Sequence, residues 1–188
     1  IGCSRRTPGL MVRAEHAALV RTLPDVLKHG LRFVNRQPGS GTRMLVDHLM
    51  LEHGIDPCAP PNQETLVEET HVAVAASVAS GLADAGIGVE AAALQFGLHF
   101  APLIEENYFL ACLKPNLAHP AVRLLRTLLE GEAWSGILAN LPGYRPAFAP
   151  GKVLVMTAAL PWWRFSQPKV RGGAAAPAAA LDTLSSVL

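Results

Sequence analysis

Leu31-Arg32-Phe33-Val34-Asn35-Arg36-Gln37-Pro38-Gly39-Ser40-Gly41-Thr42-Arg43 is the stretch on which the fold turns. Residues 31–35, with Leu31, Phe33 and Val34 as their apolar members, read as a strand. Residues 37–42 form a turn with almost no side-chain bulk. From Arg43 to His53, Met44, Leu45, His48, Leu49 and Leu51 recur at helical spacing, and Gly54 ends the run. A strand feeding a tight turn and then a helix is the unit of an α/β fold. A helix start also exposes unpaired backbone N–H groups and the positive end of the helix dipole. Glycines 39 and 41 let a ligand approach the backbone, Ser40 and Thr42 add hydroxyls, and Arg36 and Arg43 add positive charge. Two readings of this turn stand side by side: an oxyanion site, and an ordinary helix capped by Ser40 or Thr42. It is neither a Walker A loop, lacking the Gly-Lys-Ser/Thr ending, nor a Gly-x-Gly-x-x-Gly turn.

Similar units extend in both directions. Upstream, residues 9–12 read as a strand. Residues 23–29 read as a short helix with Pro24 in its first turn and Gly30 behind it. Downstream, a Pro-rich loop (56–62) leads to a short strand at 65–67. A helix over 71–80 follows, with Thr70 able to cap it and Gly81 at its end. Residues 83–89 read as a strand, 90–96 as a helix closed by Gly97, and 99–103 and 108–113 as strands. Helices are expected at 121–130 and 133–139, and a final strand at 152–157. The alternation predicts an α/β class with parallel pairing, without repeats at solenoid spacing.

Composition limits the function classes. Of 188 residues, 50% are apolar and 16% charged, enough for a core and unlike a disordered chain. A net charge of +1 supplies no bulk field for nucleic acid or an anionic membrane. No apolar run reaches the ~18–20 residues of a membrane span. Three cysteines, Cys3, Cys58 and Cys112, are too few and too scattered for a disulfide scaffold or a thiolate zinc site. Cys112, within an apolar run, reads as an inert core thiol. The odd count fits a reducing, cytoplasmic setting. A periplasmic one is the alternative if a signal peptide lies upstream, because the chain opens Ile-Gly-Cys-Ser without an initiator Met. Residues 166–188, rich in Ala, Pro and Gly, read as a flexible tail behind one ligand-binding domain at 1–165. A weak helix over 181–188 is conceivable from composition.

Most other polar candidates have plain structural readings. Thr70-His71 follows Glu68-Glu69, and these acids suit the positive end of a helix while repelling an anion, so capping is the preferred reading there. His48 and His53, five apart, lie about 140° round a helix and share no face. His-Glu-x-x-His and Gly-x-Ser-x-Gly are absent, so neither a zinc protease nor a hydrolase elbow is present. Glu105-Glu106 reads as a solvated turn. Trp134 reads as packed on its helix, and Leu160-Pro161-Trp162-Trp163 as a docked edge.

Three stretches together resemble the substrate-binding-like domain of molybdate-type regulators and binding proteins, a type II periplasmic-binding-protein fold. They are residues 31–43 quoted above, residues 69–90 (Glu69-Thr70-His71-Val72-Ala73-Val74-Ala75-Ala76-Ser77-Val78-Ala79-Ser80-Gly81 and onward to Glu90), and Phe96-Gly97-Leu98-His99-Phe100-Ala101-Pro102-Leu103 with Glu105-Glu106-Asn107-Tyr108. Leu141-Pro142-Gly143-Tyr144 and Leu160-Pro161-Trp162-Trp163 are similar to the end of that domain. The likeness covers about residues 9–165. It implies an α/β, two-lobed module, here lacking the first part of lobe 1, that closes over a small tetrahedral oxyanion. Molybdate or tungstate is the implied ligand, with sulfate and phosphate as alternatives and no cofactor. Ligand-binding residues implied are Ser40, Gly41, Thr42 and Arg43 at one helix start, Thr70 and His71 at a second, and Tyr108 on a strand returning between the lobes.

The segment preceding Gly9 in such proteins has no counterpart here, which would bare a sheet edge that a homodimer or strand exchange could cover. DNA contact is expected only through a domain not present in this chain. The leading expectation is therefore a non-enzymatic sensor or carrier module, the ligand-binding part of a transcriptional regulator or a transport system. A degenerate module serving as an interaction domain is the alternative. An enzyme on an anionic substrate ranks below both, for want of a nucleophile–base pair.

Overall fold

The computed structural model describes residues 1–57 and 66–159. The chain divides into two compact units. One comprises Arg5–Glu106 and Ile137–Arg145, and the other Ile1–Ser4, Asn107–Gly136 and the described residues from Pro146.

The first unit is built on a five-stranded sheet. Its strands are β2 (Pro8–Val12), β3 (Phe33–Arg36), β4 (Val67–Glu68), β5 (Ala85–Val89) and β6 (His99–Pro102), in the order β4-β3-β5-β2-β6. β3 runs parallel to both β4 and β5, as strand–helix–strand units require. Pairing is not parallel throughout, however. β2 lies antiparallel between β5 and β6, with Leu10 opposite Ile87 on one side and Ala101 on the other. β5 and β6 thus share a direction and are joined by a helical crossover, while β2 fills the gap between them.

Alternation along the strands sorts two cores. Leu10, Val12, Phe33, Ala85 and Ile87 face helices α1 (Leu23–Lys28) and α2 (Gly41–Glu52), packing on Leu23, Val26, Val46 and Met50. Met11 and Val34 face the other side, where α3 (His71–Ala79) and α4 (Glu90–Gln95) supply Val74, Ala75, Val78, Ala92 and Ala93. On this second side β5 contributes Val89 at its end and otherwise only glycine. A Cβ on Gly86 would lie 2.5 Å from Val74 Cγ1 and 2.7 Å from Val34 Cγ1. One on Gly88 would lie 2.4 Å from Met11 Cε and 3.6 Å from His71 Nδ1. The bare strand is what lets the start of α3 settle onto the sheet.

Caps explain the helix limits. Thr22 and Asp25 form a capping box on α1. Ser40 Oγ accepts from Arg43 N (3.1 Å) at the start of α2, and Thr70 Oγ1 from Ala73 N (3.0 Å) at the start of α3. Gly54, Gly81 and Gly97 follow their helices with φ of +69°, +78° and +65°, the left-handed region that glycine enters without steric cost. Asp84 knits the sheet at its other end. It accepts from Arg32 N and Nε, both at 2.9 Å, and from Arg13 Nη2 at 3.1 Å. Arg32, then Arg13, hold the Asp84 carboxyl well below the ordinary carboxylate range.

In the second unit, α5 (Pro120–Glu130) carries the buried Leu129. Gly151, at φ +70°, lies under that helix, where a Cβ would stand 2.5 Å from Glu130 Cγ. Arg126 Nε donates to Gly151 O at 2.9 Å. Trp134 Nε1 donates to Cys3 O at 3.0 Å, so Trp134 packs as expected. Strands β1 (Gly2–Arg6), β7 (Glu106–Phe109) and β8 (Tyr144–Pro146), ordered β7-β1-β8, contribute residues to both units.

Several local expectations fail. Residues 152–157 are not a strand: Lys152 N bonds back to Ala149 O in a turn, and Met156–Ala159 is a helix, α7. The alternating valines find no neighbouring strand, and β1 and β8 were not foreseen. The strand expected over 108–113 ends at Phe109, and Cys112 beyond it is exposed, not a core thiol. Glu105 is exposed and outside any strand, as expected, but Glu106 is not a solvated turn: it opens a strand, is half-buried and pairs with Arg6, 100 residues away in the chain. The expected Leu160-Pro161-Trp162-Trp163 edge, the tail at 166–188 with its helix, and most of the loop at 56–62 fall outside the described residues.

Candidate functional site

Parallel pairing places two helix starts on one edge of the first unit's sheet. α2 leaves the carboxyl end of β3, and α3 leaves the carboxyl end of its neighbour β4. The two strand ends are held abreast by Asn35 N donating to Leu66 O (2.8 Å) and Gln37 N to Glu68 O (3.2 Å). In open α/β sheets this edge is where ligands sit, because the N–H groups of the following helices point over it.

Arg36, the last residue of β3, occupies that edge. It is 9% exposed, and three of its five N–H donors are committed. Nε donates to Gln37 Oε1 (3.1 Å), Nη2 to Glu69 O (2.7 Å) and Nη1 to His71 Nδ1 (3.2 Å). All three acceptors are neutral. Among the described residues no carboxylate lies within ion-pair distance of Arg36. Burial, then the charge of Arg6, pulls its pKa below the usual arginine value. A buried cation costs several kcal/mol to desolvate, and neutral hydrogen bonds return roughly 1.5–3 kcal/mol each. Two helix N-termini on the same edge add further positive potential. The groups hydrogen-bonded to this guanidinium are thus neutral, and two of its donors have no partner among the described residues.

His71 opens α3. Because a guanidinium only donates, the contact with Arg36 requires an unprotonated Nδ1, and the ring proton sits on Nε2. Burial first, then Arg36 and Arg6, drives the His71 pKa down to about 4, so the ring is neutral at pH 7. Arg6 acts on both groups through space. Its own charge is balanced by an ion pair with Glu106, and Tyr144 hydrogen-bonds to it.

The other sequence-derived residues fall out as follows. Ser40 is the N-cap of α2; its oxygen accepts from Arg43 N, which leaves the hydroxyl proton to donate elsewhere. Gly41, first in α2, has open space where a Cβ would go. Thr42 is 4% exposed. Arg43 bends along its helix onto Asp47 (Nε to Oδ1, 2.8 Å), so its charge is already offset. Thr70 caps α3, as the plain reading held. Glu68 turns away from the helix start to accept from Ser77 Oγ at 2.7 Å. Tyr108 lies on β7 in the other unit and is half exposed. Ser40, Gly41, Thr42, Thr70 and His71 thus belong to one unit, together with Arg36. In the sequence Arg36 stands as one of two cations flanking the turn, outside the implied ligand set, and Arg6 is not singled out. Arg36 was legible as a cation closing an apolar strand. No sequence signal marks Arg6, whose influence is tertiary.

No described group of histidine, cysteine and acidic side chains is arranged to hold a metal. Among the described residues no helix is long and apolar enough to cross a membrane.

Residues 1–130 match the PBP superfamily domain. The chain belongs to that family. It is 33% identical over 152 residues to the uncharacterized protein YvgK of Bacillus subtilis (strain 168), an alignment covering 81% of this chain and 48% of that protein. The chain thus spans about half the length of that relative. Among solved structures, a histidine kinase sensor domain with similarity to periplasmic binding proteins is similar at a TM-score of 0.53 and 12% identity, covering 77% of this chain and 62% of that one. The arginine-, lysine-, histidine-binding protein ArtJ of Geobacillus stearothermophilus is similar at a TM-score of 0.50 and 16% identity, covering 77% and 62%. At such identities the likeness is one of fold, and the fold is the α/β, type II periplasmic-binding-protein kind that the sequence resemblance implied.

Proposed function

We propose that this PBP-family domain binds a small tetrahedral oxyanion of the molybdate or tungstate class, as a sensor or carrier module. The observation that carries the reading is Arg36, a buried guanidinium with spare donors and no counter-ion among the described residues. An oxyanion at this edge would receive N–H groups from Arg36 and from the starts of α2 and α3. Ser40 and Thr70 would add hydroxyls, and His71 the proton on Nε2. All of these are donors, and an ion with acceptor oxygens on every side uses them whatever its orientation. ArtJ, by its name, takes amino acids. Such a ligand also brings a cationic ammonium, which a site of donors alone does not satisfy. Binding rather than turnover is the expected activity, because no nucleophile stands beside a general base here.

The test is thermal unfolding with molybdate, tungstate, sulfate, phosphate or L-arginine at matched ionic strength. A ligand at 100 times its Kd stabilises the native state by about 2.7 kcal/mol. Stabilisation by molybdate or tungstate alone supports the proposal. Stabilisation by L-arginine alone overturns it in favour of a carboxylate ligand. A cooperative transition that no ligand moves favours an interaction domain whose site has decayed.

A further inference from the structure

His71 is more than one donor among several, because its state is tied to that of Arg36. Its Nδ1 accepts from Arg36 Nη1 at 3.2 Å. While that contact stands, Nδ1 has no lone pair left for a proton. A protonated ring would also set two N–H groups against each other and crowd a third cation beside Arg36 and Arg6. An anion at the site changes both conditions. It offers Arg36 better acceptors than an imidazole nitrogen, and its charge offsets that of an imidazolium.

We infer, resting on the anion-binding reading above, that His71 couples anion binding to proton uptake: Arg36 turns from Nδ1 to the anion, and Nδ1 takes a proton from solvent. One N–H bond forms, one hydrogen bond is exchanged for another, and nothing is oxidised or reduced.

Among the described residues around it, His71 is the one imidazole. Within α3's neighbours, β2 and β5 carry no titratable side chain. β3 offers Arg36, β4 offers Glu68 held by Ser77, Glu69 precedes the helix, and α4 offers Glu90. Beyond them stand Arg6 with Glu106 and Tyr144. None of these neighbours is an imidazole or a thiol, the side chains whose ordinary values lie nearest neutral pH.

The experiment is calorimetric titration of the full chain with micromolar molybdate between pH 5.5 and 8, in pairs of buffers differing in ionisation heat. Sulfate, whose charge is constant over this range, serves as a parallel probe. Expected is uptake approaching one proton per anion at pH 5.5 and none at pH 8, with Kd about tenfold lower at pH 5.5 than at pH 8, because an ordinary imidazole titrates near 6.5. His71→Asn keeps an acceptor facing Arg36 but cannot take the proton, so uptake should vanish whatever its affinity. An imidazole NMR titration of the unmodified protein reads the same event, as a His71 pKa rising from about 4 when anion is added. Anion binding with no proton uptake and an unmoved His71 titration overturns this inference and leaves the oxyanion reading standing. Uptake that persists in His71→Asn assigns the proton to another group and overturns it also. Failure of molybdate to bind at any pH overturns both.

Discussion

Arg36 Nη1 lies 3.2 Å from His71 Nδ1, so a guanidinium at the end of one strand donates to the first side chain of the helix that follows the neighbouring strand. The contact joins the two helix starts of the candidate site, and it sets the protonation state of the histidine. It also leaves a buried positive charge balanced by nothing among the described residues. Arg36→Gln removes that charge and keeps a donor for the Glu69 carbonyl. The variant is expected to fold and to lose the anion-induced rise in melting temperature entirely. Differential scanning fluorimetry with and without molybdate reads both, and an undiminished rise would place the anion elsewhere.

Ser40 separates capping from ligand contact. Ser40→Ala loses the bond from Arg43 N and should cost about 1 kcal/mol in urea unfolding. Ser40→Asp caps as well as serine, and its charge suits a helix start, so stability in the absence of ligand should be kept or slightly raised. An anion would meet a carboxylate there, and binding should fall by tenfold or more. Equal anion affinity in the native protein and Ser40→Asp would remove the α2 start from the site.

Two glycines on β5 are predicted to differ. At Gly86 a Cβ meets Val74 and Val34, both stiff β-branched side chains in the core, so Gly86→Ala should cost about 1–3 kcal/mol. At Gly88 the nearest atoms are the end of Met11, which can swing aside, so Gly88→Ala should cost less. Chemical denaturation of the two variants settles the order, and a larger loss at Gly88 would contradict the packing described.

Acid should destabilise the protein in two steps. His71, with a folded pKa of about 4 against an ordinary value near 6.5, is neutral when folded and protonated when unfolded between those limits. Its contribution is complete above pH 6.5 and is lost as pH falls toward 4. Asp84, held below the ordinary carboxylate range by Arg32 and Arg13, contributes fully above about pH 4 and loses that contribution only below it. His71→Asn should flatten the melting temperature between pH 6.5 and 4 and leave the drop below pH 4. Asp84→Asn should flatten the lower step and lower stability at pH 7 by about 2 kcal/mol, a figure kept small because Arg32 is largely exposed. Identical pH profiles for all three proteins would refute both assignments.

Much of this chain was legible from one dimension. Strand, turn and helix between residues 31 and 53 follow from local periodicity, a Pro-Gly turn and a serine cap, and the helix at 71–79 follows from Thr70 and Gly81 in the same way. Their order implies parallel strands, while the grouping of Ser40 with Thr70 and His71 rests on the family resemblance, since the residues alone favour a cap at Thr70. The local elements are effects of neighbours within about four residues, where the backbone's own hydrogen bonds decide the outcome. Long-range pairing decided the rest. β2 became antiparallel between β5 and β6, Glu106 was drawn to Arg6, Cys112 was left outside, and the valines of 152–157 found no strand to join. None of these has a local signature, because each depends on which distant segment fills a vacant edge or offsets a charge. The character of Arg36 belongs to that second kind. Its place at a strand end is written in the sequence, but its burial without a counter-ion exists only once β4, α3 and Arg6 have closed around it, and that is the physical reason the site reads as one made for an anion.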